Sequence, residues 1–350
     1  MQRLQQTHEF ARIRVVGIGG GGITAVNRMI DDRVFGVEYI TVDTDPISKK
    51  ETNAPKHLQI RSTFAINQAA NSNSAAGRQA TLAAESDLQE TLEGSDIVFI
   101  LAGLGGGTGS GMVPVIARVA KGVNALVIGI VTYPFSFEGD KRAQAAEGSI
   151  GALRGCTDTL IVVPNDRLLL LSKGSIGFHE TYRLAHNIWC ESIRGISELI
   201  NRSGLINVDY ADVRAIMSEG RAAIIATGQG HGENRARIAA TRASRSDLLD
   251  LTLDGARGLL FNVIGGPDMT LHEVEQAAQE LTRRVHPQAN VIFGAAVDDS
   301  LGDEIKIIAI ATGFGLGDIF NQPTMKESSR GVSWSALWKK AGNAYSTLPS

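Results

Sequence analysis

Residues 101–111 read LAGLGGGTGSG. Six of the nine positions from Gly103 to Gly111 are glycine; the stretch follows the apolar run DIVFILA (96–102) and leads into the helical pattern MVPVIARVAK (112–121). A glycine loop between a strand and a helix leaves backbone N–H groups free to close on an anion at the helix N-terminus, and Thr108 and Ser110 add hydroxyl donors. The chain has a similar device earlier: GIGGGG at residues 17–22 follows the short apolar strand Ile13 to Val16 and precedes a helix over Thr24 to Arg33. Taken alone, the G-x-G-x-x-G of Gly17, Gly19 and Gly22, with Asp43 closing the next strand, fits a dinucleotide-binding oxidoreductase. Two cradles on one sheet instead fit one ligand with a polyphosphate chain, and the P-loop pattern G-x-x-x-x-G-K-[ST] does not occur in the sequence.

Outward from the two loops, apolar runs and helical patterns alternate. Strands are expected at Tyr39 to Val42, Asp96 to Ala102, Ala125 to Val131 and Thr159 to Val163, with helices at Arg78 to Leu92, Met112 to Lys121 and Asp140 to Leu153, and a polar stretch from Ile60 to Gly77. This alternation specifies an α/β fold, a parallel sheet covered on both faces. Tyr182, Ala185, Trp189, Ile193, Ile196 and Ile200 then recur every three or four residues, predicting one long central helix from about Phe178 to Asn201. Beyond it, helices at Val213 to Met217, Arg235 to Ala243 and Leu271 to Val285 and strands at Ala222 to Thr227, Gly258 to Ile264, Val291 to Ala296 and Ile305 to Ala311 describe a smaller α+β domain. The expected division is an N-terminal extension (1–11), a nucleotide-binding domain (12–177), the central helix (178–202), a C-terminal α+β domain (203–316) and a tail (317–350).

Composition bounds the function. The 350 residues carry a net charge of −3, which offers no general attraction to nucleic acid. No apolar run approaches the roughly 20 residues that cross a bilayer, and the start MQRLQQTHEF has no signal-peptide core, so a cytoplasmic protein is expected. Cys156 and Cys190 form no C-x-x-C pair and read as reduced. The seven histidines show no metal-ligand spacing: His179-Glu180 and His272-Glu273 lack a second His at i+4, so no protein-borne metal site is expected.

GGGTGSG is close to the tubulin signature, and the chain from about Arg12 to Phe314 resembles FtsZ, the prokaryotic tubulin. The resemblance is carried by GIGGGG-x-x-AVNRMI, GVEYI-x-VDTD, LAGLGGGTGSG, PFSFEGDKR, TLIVVPNDRLL, GLINVDYADVRAIM, GENRA, LFNVIGGPDMTL, ANVIFGA and ATGF, all collinear. It implies a tubulin-type fold and a GTPase that polymerises head to tail, with GTP or GDP and its magnesium buried between successive subunits. It further implies nucleotide contacts from Gly20, Gly21, Gly22, Ile23 and Thr24 in the first loop and Gly105, Gly106, Gly107, Thr108 and Gly109 in the second, with Gly20 to Gly22 and Gly107 to Gly109 on the phosphates. Glu138, Arg142 and Asn165, with Asp166 beside it, would meet the sugar, and Tyr182 and His186 the base. Asn207, Asp209 and Asp212 match the loop that reaches over a neighbouring subunit's nucleotide, suited to orienting water and magnesium. Glu138 and Arg142 also fit a plain i,i+4 ion pair, and Asp209 a plain helix cap.

Several positions depart from the family. His186 replaces a carboxylate or amide facing guanine, and a neutral imidazole accepts at one nitrogen only, so weaker guanine selectivity is expected. Ser62 to Ala76 contains no glycine where the family has a glycine-rich γ-phosphate loop. Thr24 and Asp43 replace asparagines, and Asp140 replaces a basic residue. The tail lacks the family's linker; instead Trp334, Leu337 and Trp338 recur at helical spacing beside Lys339 and Lys340, fitting membrane association or a protein partner. These departures describe a specialised paralogue. The alternative they leave open is a nucleotide-binding filament or partner module with weak or no hydrolysis and relaxed base specificity.

Overall fold

The structure, a computed structural model, describes residues 11–60, 74–166, 168, 178–201, 204–206, 208–218, 221–246 and 251–314; at 178–185, 188, 221, 246 and 251 it describes the backbone only. Strands β1 (Ile13–Ile18), β2 (Val37–Asp43), β3 (Lys56–Gln59), β4 (Ile97–Gly103), β5 (Leu126–Tyr133) and β6 (Thr159–Pro164) are all parallel, in the spatial order β6-β5-β4-β1-β2-β3. β5 is buried at every position, as the continuous apolar run requires of a strand covered on both faces. β4 shows how one run feeds two layers: Ile97, Phe99 and Leu101 enter the core under helices α1 (Gly19–Asp31) and α7 (Phe178–Asn201). Val98, Ile100 and Ala102 point the other way, into the core under α4 (Glu85–Leu92), α5 (Gly107–Gly122) and α6 (Asp140–Leu153).

The mixed α/β class, the mostly parallel sheet and the long central helix are as the sequence predicts. The second half differs in one respect. β7 (Arg221–His231) pairs with β6 at Thr159 and Leu160 and with β12 (Glu304–Phe314) along most of its length, so the C-terminal strands extend the same sheet instead of starting another. The order continues β7-β12-β10-β11, where β10 (Gly258–Gly265) and β11 (Asn290–Val297) complete ten strands. Helices α9 (Arg235–Ala243) and α10 (Leu271–Thr282) pack on this part, tied by buried Arg235, whose Nε donates to Glu273 Oε1 at 2.7 Å. α8 (Tyr210–Met217) precedes β7, and the short strands β8 (Arg245–Ser246) and β9 (Leu251–Thr252) form a separate pair.

Other elements are not visible in the pattern. The expected helix over 78–92 is two, α3 (Ser74–Ala83) and α4, separated at Ala84. No breaker residue marks that position; the division follows the packing of α3, whose Gly77 lies so near α5 that a Cβ would stand 2.6 Å from the Gly107 carbonyl oxygen. β3 and the one-turn α2 (Ser48–Glu51) lie where no strand or helix is expected; KHLQ is a short polar edge strand, protected from further pairing by its charge. α1 and α5 begin five residues earlier than predicted, inside the glycine loops, because tertiary contacts override glycine's poor helix propensity.

Candidate functional site

The C-terminal ends of β1 and β4 lie side by side, so the glycine loops after them meet. Their glycines divide into two kinds. A Cβ on Gly17 or Gly109 would fall on the carbonyl oxygen of Gly22 or Gly103, and one on Gly22 would come within 2.6 Å of the Leu101 carbonyl; these glycines let helix and strand backbones touch. Gly20 and Gly106 have nothing within 4 Å of the same position, and Gly105, at φ +100°, takes the left-handed turn that brings the second loop round. The packing function and the ligand-facing function therefore coexist, residue by residue.

α1 and α5 present their first turns to the same space. Neither has a side-chain cap, and neither has an acidic residue in its first turn, so both positive helix ends are left for an anion. Ile23 is buried behind the first turn, and Thr24 Oγ1 donates to the Gly20 carbonyl at 2.9 Å. Thr108 Oγ1 lies 3.2 Å from Thr44 Oγ1, which brings in the end of β2. Thr44 carries no motif of its own in the sequence; its place directly after Asp43 at the end of a strand is the signal that points to it. Ser110, expected to join Thr108 as a donor, turns inward and accepts from the Gly105 N–H at 2.8 Å. Asp43 is buried, which raises its pKa, and its Oδ1 accepts from the Thr44 and Asp45 N–H groups at 2.6 and 3.2 Å. That oxygen is engaged by its own turn, which weakens the ribose-binding role the dinucleotide reading needs.

The ends of β5 and β6 supply the next group. Glu138 Oε1 accepts from the Phe135 N–H at 2.8 Å, its Oε2 pairs with Arg142, and the Arg142 backbone leans against Gly105. Asp166 accepts from the Ser136 N–H at 3.0 Å, with its pKa raised by burial, and Asn165 is buried beside it. His186 projects from α7, half-buried, its ring 5.5 Å from that of Trp189. Burial, with the nearby Arg28 charge, lowers its pKa to about 4, so the imidazole is neutral near pH 7. The side chain of Tyr182, all of Asn207, residues 61–73 and the tail with Trp334, Leu337 and Trp338 lie outside the described residues.

Asp209 and Asp212 are elsewhere. Asp209 is the N-cap of α8, its Oδ1 accepting from the Asp212 N–H at 2.8 Å. Tyr210 Oη donates to the Asp96 carbonyl at 2.9 Å, just before β4 begins. The carboxylates thus sit at the N-terminal edge of the strands whose C-terminal ends carry the glycine loops. Seven residues of β4, about 23 Å at roughly 3.3 Å each, separate the two edges.

A family model for the Tubulin/FtsZ family GTPase domain matches residues 12–173, and one for the FtsZ family C-terminal domain matches residues 220–315. The chain belongs to the tubulin/FtsZ family. An empty FtsZ dimer from M. jannaschii is 35% identical, with a TM-score of 0.80 over 89% of this chain and 90% of that one. CetZ1 from Haloferax volcanii, a GDP-bound monomer, superposes with a TM-score of 0.76 over 95% of this chain and 99% of its own at 18% identity, a likeness of fold. Members of this family bind GTP or GDP.

Proposed function

We propose that the protein is a GTPase that assembles head to tail and hydrolyses GTP between subunits. The observation that carries this reading is the separation of the two halves of the site: glycine loops on one edge of the sheet, Asp209 and Asp212 on the other. One chain cannot bring both to one phosphate, whereas a second copy stacked along the strand direction can. The two edges also expose apolar side chains, Ile47 and Phe137 after β2 and β5, and Phe35 and Leu205 on the opposite side, as a heterologous contact between copies requires.

In this arrangement Gly20, Gly21, Gly22, Gly106, Gly107 and Thr108 hold the phosphates through N–H groups and a hydroxyl, and Arg142 and Glu138 border the sugar. Asp209 and Asp212 of the next copy orient the attacking water. Among the described residues no three His, Cys, Asp or Glu side chains converge on one point. In this reading magnesium would enter with the nucleotide and neutralise phosphate charge.

Asp209→Asn combined with Asp212→Asn tests the reading, because asparagine caps a helix as well as aspartate does. The expected result is unchanged folding and retained filaments by electron microscopy, with phosphate release reduced by about 100-fold or more, the scale of a lost water-orienting group. Wild-type phosphate release that does not rise with protein concentration would reject hydrolysis between subunits.

A further inference from the structure

A second cleft lies behind the glycine loops, between α3, α5 and α6, with a volume of about 370 Å³. Arg78 on α3 and Arg118 on α5 line it, and among the described residues neither guanidinium has an ion pair or hydrogen bond. Among the described residues no aspartate or glutamate lines the cleft, so the lining side chains described carry two uncompensated positive charges. Ser149 of α6 lines it as well; the residue is only 5% exposed and, among the described residues, its hydroxyl has no hydrogen-bond partner.

We infer that this cleft is a second anion site, for a small metabolite with phosphate or carboxylate groups towards both ends. The spacing supports two charged ends. A Cβ on Gly111 would lie 3.0 Å from the Arg78 backbone nitrogen, and Arg118 is seven residues further along α5, about 10 Å at 1.5 Å per residue. Ser149 and Gln144 of α6 form part of the wall, Gln144 offering an amide, and the half-buried Cys156 closes the wall just past the end of α6. The site is separate from the glycine loops but adjoins them: Ser110, whose side chain holds Gly105, is part of its lining. An occupant would thus touch the helix turn that carries the second loop.

Cys156 provides a local reporter, and the buried Cys190 an internal control. The full chain is treated with iodoacetamide, with and without GDP, while inorganic pyrophosphate or citrate is titrated in, and alkylation is followed by peptide mass spectrometry. The expected result is saturable protection of Cys156 that persists in the presence of GDP. Protection should weaken at least about tenfold in Arg118→Gln and in Arg78→Gln, the effect of losing a charge-assisted hydrogen bond. Protection by pyrophosphate alone assigns a phosphorylated ligand, and by citrate alone a carboxylate. Three results overturn the inference: no protection by either anion, equal protection in the Arg78→Gln, Arg118→Gln double variant, or protection that GDP abolishes, which would trace it to the glycine loops.

Discussion

Gly106 and Gly109 lie three residues apart in one loop and answer to different constraints. Gly106 has φ −90° and ψ 166°, a conformation any residue adopts, and an added methyl meets nothing within 4 Å. Gly106→Ala should therefore melt within about 2 °C of the wild type, as a neutral surface change does, yet bind a fluorescent GTP analogue more weakly because the methyl occupies the cradle. Gly109→Ala drives its Cβ into the Gly103 carbonyl and should cost roughly 1–3 kcal/mol in urea denaturation. His186 has a folded pKa of about 4 against an ordinary value near 6.5. The unfolded chain takes up the proton first, so the stability present above pH 6.5 is lost as pH falls towards 4, by on the order of 3 kcal/mol. Urea midpoints measured across that window should fall in the wild type and lose most of this component in His186→Gln. Which residues carry a glycine-loop motif is readable in sequence; which of those glycines face a ligand and which face a carbonyl depends on how β1 and β4 sit beside each other.

At the scale of elements, α7 joins the two halves of the sheet. Only two residue pairs connect β6 to β7, so the helix supplies much of the remaining contact through buried Trp189, Ile193 and Ile196. Its approach to β12 is set at Gly195, where a Cβ would lie 2.6 Å from Ile308 Cγ2. Gly195→Val should loosen the C-terminal strands, raising amide hydrogen exchange in β12 more than in β4, with an overall cost of about 1–3 kcal/mol. Adding Ile308→Ala should restore part of the β12 protection. The bounds of α6, α7 and α9 agree with those read from the sequence, α7 through apolar residues recurring every three or four positions and α9 through its alanine-lined face. β3, α2 and the division between α3 and α4 could not, because short elements and close helix contacts leave no periodic trace.

For the whole molecule, the decisive relation is between opposite edges of one sheet. If the site is completed by a second copy, a subunit lacking the carboxylates and a subunit unable to hold nucleotide should rescue each other. Asp209→Asn, Asp212→Asn mixed with Gly106→Val should regain turnover that neither has alone, since roughly a quarter of random head-to-tail contacts join the two intact halves. No recovery in a mixture that still forms filaments would count against a shared site. The strand and helix runs, the two glycine loops and the family were legible in the amino-acid sequence, because they rest on local patterns: apolar period, glycine spacing and collinear motifs. The continuity of β6 with β7, the split among the glycines, the burial of His186 and the placing of Asp209 and Asp212 at the edge away from the glycine loops came only with the tertiary structure. Each depends on contacts between residues far apart in the chain, and local pattern carries no record of those distances.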